Sequence, residues 1–326
     1  MNVRARIQHV ALSAAILATA GALPASAQDW PNRNVTIVVP FAVGGSADVY
    51  ARFVGAKLTE NLGQTFVVEN RPGAGGTIGA NQVAKAAPDG YTILAYGALG
   101  TANALYSKLP YDTLDDFTPV IAFGIQPLSI VTSPSKGYKT LQDLIASGKA
   151  KPGSLNYTSA GVGTASHFAA VRFLVSAGIE AQHIPYKGAA EAVTEVVAGR
   201  ADFSPQIFTT TLPLLRDGKL VALAVSAQKR TTIMPEVPTT VEAGLKADSI
   251  YPFYSGFFVP SKTPRAVIEK LHNEAVKALQ APAVQDRLKT LGVEPLPMNL
   301  EQFDKFFRND VAEAAALVKT AKIPTQ

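Results

Sequence analysis

The chain has 326 residues, 47% of them hydrophobic, no cysteine, and 30 Lys+Arg against 25 Asp+Glu for a formal charge of +5. Its hydrophobic share supports ordinary globular folding, and roughly 300 residues is more than one core usually serves, so two lobes are expected. The missing cysteines exclude disulfides, thiol nucleophiles, thiol metal sites and a lipid-modified N-terminal cysteine, and the scattered charges exclude a basic, aromatic-laced surface for nucleic acid.

The first 27 residues carry Arg4 and Arg6, an apolar stretch from Val10 to Leu23, and Ala25-Ser26-Ala27 before Gln28. That is the pattern of a secretory signal peptide, too short to span a bilayer comfortably. It predicts a mature chain from about Gln28, free in the periplasm of a Gram-negative bacterium and without a membrane anchor. Removing its two arginines leaves 28 basic against 25 acidic residues, a formal charge of +3. A small anion is a more economical partner for such a chain than nucleic acid.

Val35 to Val39 reads as a buried strand. Pro40-Phe41-Ala42-Val43-Gly44-Gly45-Ser46-Ala47-Asp48 then carries the chain into a helix of about 15 residues from Ala47, stopped at Leu62-Gly63. Thr65 to Glu69 is the second strand. Asn70-Arg71-Pro72-Gly73-Ala74-Gly75-Gly76 is a turn of residues that tolerate positive φ, before a helix from Ile78 to Ala86. Pro88-Asp89-Gly90 turns into a third strand, Tyr91 to Ala95, with Tyr96 to Thr101 as a third loop at the same end of the sheet.

Val120 to Phe123 and Leu128 to Val131 read as strands that leave one lobe and enter another near 125–127. A helix from Leu141, strand 155–157, helix 164–177, strand 182–185, helix 189–198 and strands 201–203 and 221–225 follow. Tyr251 to Val259 is again strand, and helices begin at Pro264, Pro282 and Leu300. The alternation predicts α/β architecture with parallel sheet wrapped by helices: one lobe from 28–125 plus 253–326, a second from 126–252, and a cleft between them.

Two loops carry the chemistry. Pro40 to Asp48 places Ser46 to cap the following helix and Asp48 in its first turn, so backbone N–H groups and the positive helix end favour a carboxylate or phosphate there. Gly44-Gly45 has neither the Lys of a Walker loop nor the three glycines of a dinucleotide fingerprint. Ser159-Ala160-Gly161-Val162-Gly163-Thr164-Ala165-Ser166-His167 repeats the arrangement in the second lobe. Two such loops facing each other would hold an anion from both sides and make closure depend on the ligand.

Ser166 and His167 point about 100° apart on a helix and cannot pair as nucleophile and base, and there is no nucleophile elbow. The mature histidines, His167, His183 and His272, have no metal-ligand spacing. No metal, no cofactor and no catalysis are expected. Arg71 could pair with a ligand carboxylate or with Glu69 or Asp48; Lys187 in Tyr186-Lys187-Gly188 could reach the cleft or stay solvated. Asp202 reads as a structural carboxylate, and Gln206 could orient the far end of a ligand.

The ordered set Pro40 to Asp48, Glu69 to Gly79, Pro88-Asp89-Gly90-Tyr91-Thr92, Leu109-Pro110-Tyr111-Asp112, Ser159 to His167, Pro185-Tyr186-Lys187-Gly188 and Pro235 to Gly244 resembles the Bug family, periplasmic receptors of tripartite tricarboxylate transporters, over essentially the whole mature chain. The resemblance implies a monomeric, two-lobed Venus-flytrap protein, not an enzyme. It would deliver a small carboxylate to an integral-membrane permease of a small and a large subunit, or signal to a membrane sensor kinase through the same cleft. It implies that Phe41, Ala42, Gly44, Gly45, Ser46 and Asp48 face Ser159, Gly163, Thr164, Ser166 and His167 across one carboxylate. Gly97 and Ala98 line the same cleft, with Tyr186 and Gln206 at its edge. Where many members have an acidic Phe-Asp-Asn step, this chain has Pro205-Gln206-Ile207, which points to a ligand without an amino group.

Overall fold

A computed structural model describes residues 30–97, 99–251 and 253–320; the signal peptide and Ala98 lie outside the described residues. The first strand, β1 (Val35–Val39), is almost wholly buried, as a continuous apolar run demands. Next come helix α1 (Ser46–Leu62), β2 (Phe66–Asn70), α2 (Thr77–Ala84), β3 (Thr92–Gly97), α3 (Leu99–Leu105) and β4 (Phe117–Gln126). Gly63 ends α1 in the left-handed conformation at φ 70°, donating its N–H to the Thr59 carbonyl.

Only one residue, Pro127, separates β4 from β5 (Leu128–Thr132), where the chain enters its second half. There follow α4 (Leu141–Ala150), β6 (Leu155–Ser159), α5 (Ala165–Ala177), β7 (Ala181–Pro185), α6 (Ala189–Val197), β8 (Ser204–Ile207), α7 (Phe208–Arg216) and β9 (Val221–Ser226). The chain returns through β10 (Phe253–Pro260) and closes with α8 (Arg265–Gln280), α9 (Pro282–Thr290) and α10 (Leu300–Thr320). Thr140 and Asp143 form a reciprocal capping box at the start of α4.

The first sheet has the order β2-β1-β3-β10-β4. β1 lies parallel to β2 and β3, whereas β10 runs antiparallel to β3 and β4. In the second half, β6 and β7 are parallel, and β5 is antiparallel to β8 and β9. Tyr157 bridges Phe203 just before β8, which joins the two pieces. The expected parallel sheet is present in β1–β3 and in β6–β7, and antiparallel strands extend it: β10 and β5, which carry the chain into a lobe from the other one, run against their neighbours because they enter from the opposite end.

Three further differences have local causes. The strand expected at 201–203 begins at Ser204, because Asp202 is held by backbone and side-chain bonds to Asn156 and an ion pair to Lys136. The loop expected from Tyr96 is strand to Gly97 and then α3 from Leu99. Helix α7 was not expected; its Thr-rich start and internal Pro213 obscure the helical period.

Apolar faces cover both sides of the first sheet. Tyr50, Val54 and Leu58 of α1 pack with Ile268, Leu271 and Ala275 of α8 on one side. Ala80 and Val83 of α2 pack with Phe303, Phe307 and Val311 of α10 on the other. Each such fully buried aromatic or leucine contributes about 1.5–3 kcal/mol. A further cluster joins the lobes: Leu105, Leu128, Phe168, Ile207, Tyr251 and Phe253 pack with Ala314 and Val318 of α10. The long last helix thus lies over the crossovers.

Candidate functional site

The cleft sits where three helices begin. Gly45, Thr164 and Gly188 are the N-caps of α1, α5 and α6; each has extended backbone and none has a side-chain cap. The first N–H groups of a helix have no partner within it, and each helix start carries about half a positive charge. Gly45-Ser46-Ala47, Thr164-Ala165-Ser166 and Gly188-Ala189-Ala190 all line one cleft of about 720 Å³, counting the space at its mouth. Its remaining wall is mostly apolar, from Phe41, Leu128, Ile207 and Phe253.

The first-lobe loop is held from behind. Asp48, only 2% exposed, accepts the Gly44 N–H at 3.0 Å and the Asn70 amide at 2.9 Å, and pairs with Arg52 at 2.9 Å. Burial alone would raise the Asp48 pKa, but donation from Arg52, Gly44 and Asn70 together holds it below the ordinary carboxylate value. The capping expected of Ser46 is therefore corrected: no side chain caps the α1 start, Asp48 ties down Gly44 ahead of it, and Ser46, the first helical residue, lines the cleft. Phe41 stacks on Tyr96 at 5.3 Å, and the Tyr96 hydroxyl donates to the Gly75 carbonyl.

The second-lobe loop is wired internally. Ser166 Oγ accepts the Ala160 N–H at 3.0 Å, and Thr164 Oγ1 donates to the Gly161 carbonyl at 2.6 Å. Beneath it lies a ladder of rings: His167 on His183 at 4.1 Å, His183 on Tyr157 at 4.8 Å, and Tyr157 on Phe203 at 5.5 Å. Burial, then the neighbouring His183, pushes His167 down to about 3, and burial pushes His183 down to about 4, so both rings are neutral at pH 7. The Gly163 N–H lies 3.4 Å from His167 Nδ1.

Phe41, Ala42, Gly45, Ser46, Gly97, Thr164, Ser166 and Gln206 are brought together on the cleft. Tyr186 lines a neighbouring chamber with Lys187, Tyr106 and the 73–76 turn. Gly44, Asp48, Ser159, Gly163 and His167 line neither chamber; their bonds brace the two loops from within and against neighbouring elements. Arg71 pairs with Glu69, one of its open alternatives. Sequence reasoning missed the α6 start and the walls Leu128, Ile207 and Phe253. Gly188, between a strand and a helical period, was the available signal for the first; strand-end apolar residues carry none for the rest.

The lobes touch directly. Thr101 Oγ1 donates to the Gly163 carbonyl at 2.7 Å, the Tyr106 hydroxyl to the Val162 carbonyl at 3.2 Å, and Tyr50 and Thr209 share a hydroxyl contact at 3.0 Å. These bonds tie the two halves together beside the cleft. The Ser159 hydroxyl lies 2.6 Å from His183 Nε2, the nearest approach to a nucleophile and base, but Ser159 is fully buried and off the cleft. Among the described residues no group of three His, Cys, Asp or Glu could hold a metal ion, and no helix is long and apolar enough to cross a membrane.

Residues 50–323 match the family model described as tripartite tricarboxylate transporter family receptor. The chain belongs to that family. The receptor is 35% identical over 307 residues to BugT of Bordetella pertussis, covering 93% of this chain and 94% of BugT. A Rhodopseudomonas palustris protein solved with adipate superposes on it with a TM-score of 0.87 at 31% identity, covering 91% of the receptor and all of that chain. MatC of R. palustris, solved with bound malate, does so with a TM-score of 0.84 at 32% identity, covering 89% and 100%. The receptor has the two-lobed α/β fold of periplasmic binding proteins.

Proposed function

We propose that this receptor captures a small carboxylate without an amino group in the periplasm and hands it, unchanged, to an integral-membrane permease of a small and a large subunit. The observation that carries the reading is the meeting of three side-chain-uncapped helix starts in one cleft between the lobes. Backbone N–H groups and helix ends favour a carboxylate without needing a cationic side chain. Adipate and malate in two similar solved proteins support the same class. Gln206, rather than an acid, stands on β8 in the cleft wall, and the one acid lining the cleft among the described residues, the exposed Glu191, is taken up by the Lys187 N–H, which supports an amino-free ligand.

In this reading residues 28–125 with 253–326 form one lobe and 126–252 the other, exported by the 1–27 segment and acting as a monomer. Gly45, Ser46, Thr164 and Ser166 hold the carboxylate, with Phe41, Ala42, Gly97 and Gln206 around it. Gly44, Asp48, Ser159, Gly163 and His167 keep the loops in shape. Calorimetry with adipate, malate, benzoate, aspartate and glutamate tests this: at least one amino-free acid should bind with a Kd of about micromolar or below. Tight aspartate or glutamate binding without any amino-free binder overturns it. Conversion of the bound acid on long incubation, read by mass spectrometry, would overturn the non-enzymatic part.

A further inference from the structure

One charged side chain lines the anion cleft, and it carries the wrong sign for an anion. Glu191 stands in the first turn of α6 and borders both the cleft and the neighbouring chamber. Its carboxylate accepts the Lys187 backbone N–H at 3.3 Å, and among the described residues it forms no ion pair. Lys187 itself lines the neighbouring chamber rather than the cleft.

We infer that Glu191 makes this receptor select singly charged carboxylates over dicarboxylates. The inference rests on the carboxylate reading above and narrows it. One carboxylate sits well on the helix starts; the rest of the ligand then meets Phe41, Leu128, Ile207 and Phe253, and Glu191 is the charged residue among those lining the same cleft. An aliphatic or aromatic body buries apolar area there. A second carboxylate meets a like charge. Glu191 is solvent-exposed, so the repulsion is screened: a second carboxylate that came within roughly 6 Å of it, at an effective dielectric near 40, would lose about tenfold in affinity. Specificity by a repulsive element leaves the anchoring of the first carboxylate as it is.

The test compares length-matched pairs, hexanoate with adipate and benzoate with terephthalate, by calorimetry on the full mature protein and on Glu191→Gln. The wild type should prefer the monocarboxylate of each pair by about tenfold or more, and Glu191→Gln should narrow that ratio by about fivefold or more. Raising salt from 20 to 500 mM should narrow the wild-type ratio as well, since screening shortens the reach of the charge. A wild-type preference for the diacids, or a ratio that Glu191→Gln and salt both leave in place, overturns the inference while leaving the carboxylate reading standing. Binding of none of the four overturns the inference, and the carboxylate reading falls with it when malate also fails to bind. Thermal melting establishes that the variant folds; should it fail to, the salt series alone decides.

Discussion

At Gly75 the main chain of one lobe passes close to that of the other, and replacing it separates ligand affinity from folding. Its φ is +62°, and a β-carbon there would collide with the Val162 carbonyl oxygen of the other lobe and lie 2.8 Å from the Tyr106 hydroxyl. Gly75→Ala should therefore hold the lobes apart. The closed form would lose the Thr101–Gly163, Tyr106–Val162 and Tyr50–Thr209 bonds, each with a net value of about 0.5–1.5 kcal/mol. Their loss amounts to about 1.5–4.5 kcal/mol, a Kd raised by about tenfold to a thousandfold. The left-handed backbone also strains an alanine by about 1 kcal/mol, but in open and closed forms alike, so it lowers the melting temperature without touching affinity. Gly63→Ala is the control, with φ +70° and nothing within 4 Å of its added carbon. Calorimetry with a bound carboxylate, and small-angle scattering to read closure, should show the affinity loss in Gly75→Ala only. A Gly75→Ala Kd within threefold of wild type, or equal losses in the two variants, refutes the reasoning.

Gly45→Val should weaken ligand binding more than tenfold by pushing ligand off the α1 start, whereas Ser46→Ala, which removes one hydroxyl, should cost at most about tenfold; calorimetry showing equal losses would count against a backbone-dominated site. The neutral His167–His183 pair has folded-state pKa values of about 3 and 4, below the ordinary 6.5, so unfolded chains take up protons first as pH falls. Stability should be full above pH 6.5 and drop by about 2 kcal/mol per histidine at pH 5, and flat denaturant midpoints from pH 7 to 5 would refute this. Asp310, accepting from the Tyr254 hydroxyl at 3.2 Å, is pushed up to about 6 by burial, against an ordinary 3.8, and so acts oppositely, costing stability as pH rises through that window. Asp310→Asn should raise the melting temperature at pH 8 and steepen the acid loss.

Most of the architecture was legible because its signals are local. Val35 to Val39 is buried but for the half-buried Thr36 and reads as a β-branched strand run; Gly63 stops α1 as a left-handed cap must. Strand direction was not legible, since the antiparallel setting of β4, β5 and β10 follows from where the chain crosses between lobes rather than from any residue in them. Within the site, Gly45, Ser46, Thr164 and Ser166 declared themselves by their place before helical periods, and the structure sets all four on one cleft. Glu191 did not: at i+3 from Gly188 it reads as ordinary first-turn charge, and only the fold sets it at the border of the cleft. Asp48 shows the converse, a charged residue in a binding loop whose bonds all point away from the cleft, to Gly44, Arg52 and Asn70.

Two of the three hydroxyl bonds that close the lobes end on peptide carbonyls, those of Val162 and Gly163. A carbonyl is supplied by whatever residue occupies the position, so this latch survives side-chain drift on the lobe that receives it. The walls that read the body of the ligand, Phe41, Leu128, Ile207 and Phe253, are all side chain. Descendants of such a receptor can change diet by substituting those walls, one at a time, without having to rebuild the means of shutting.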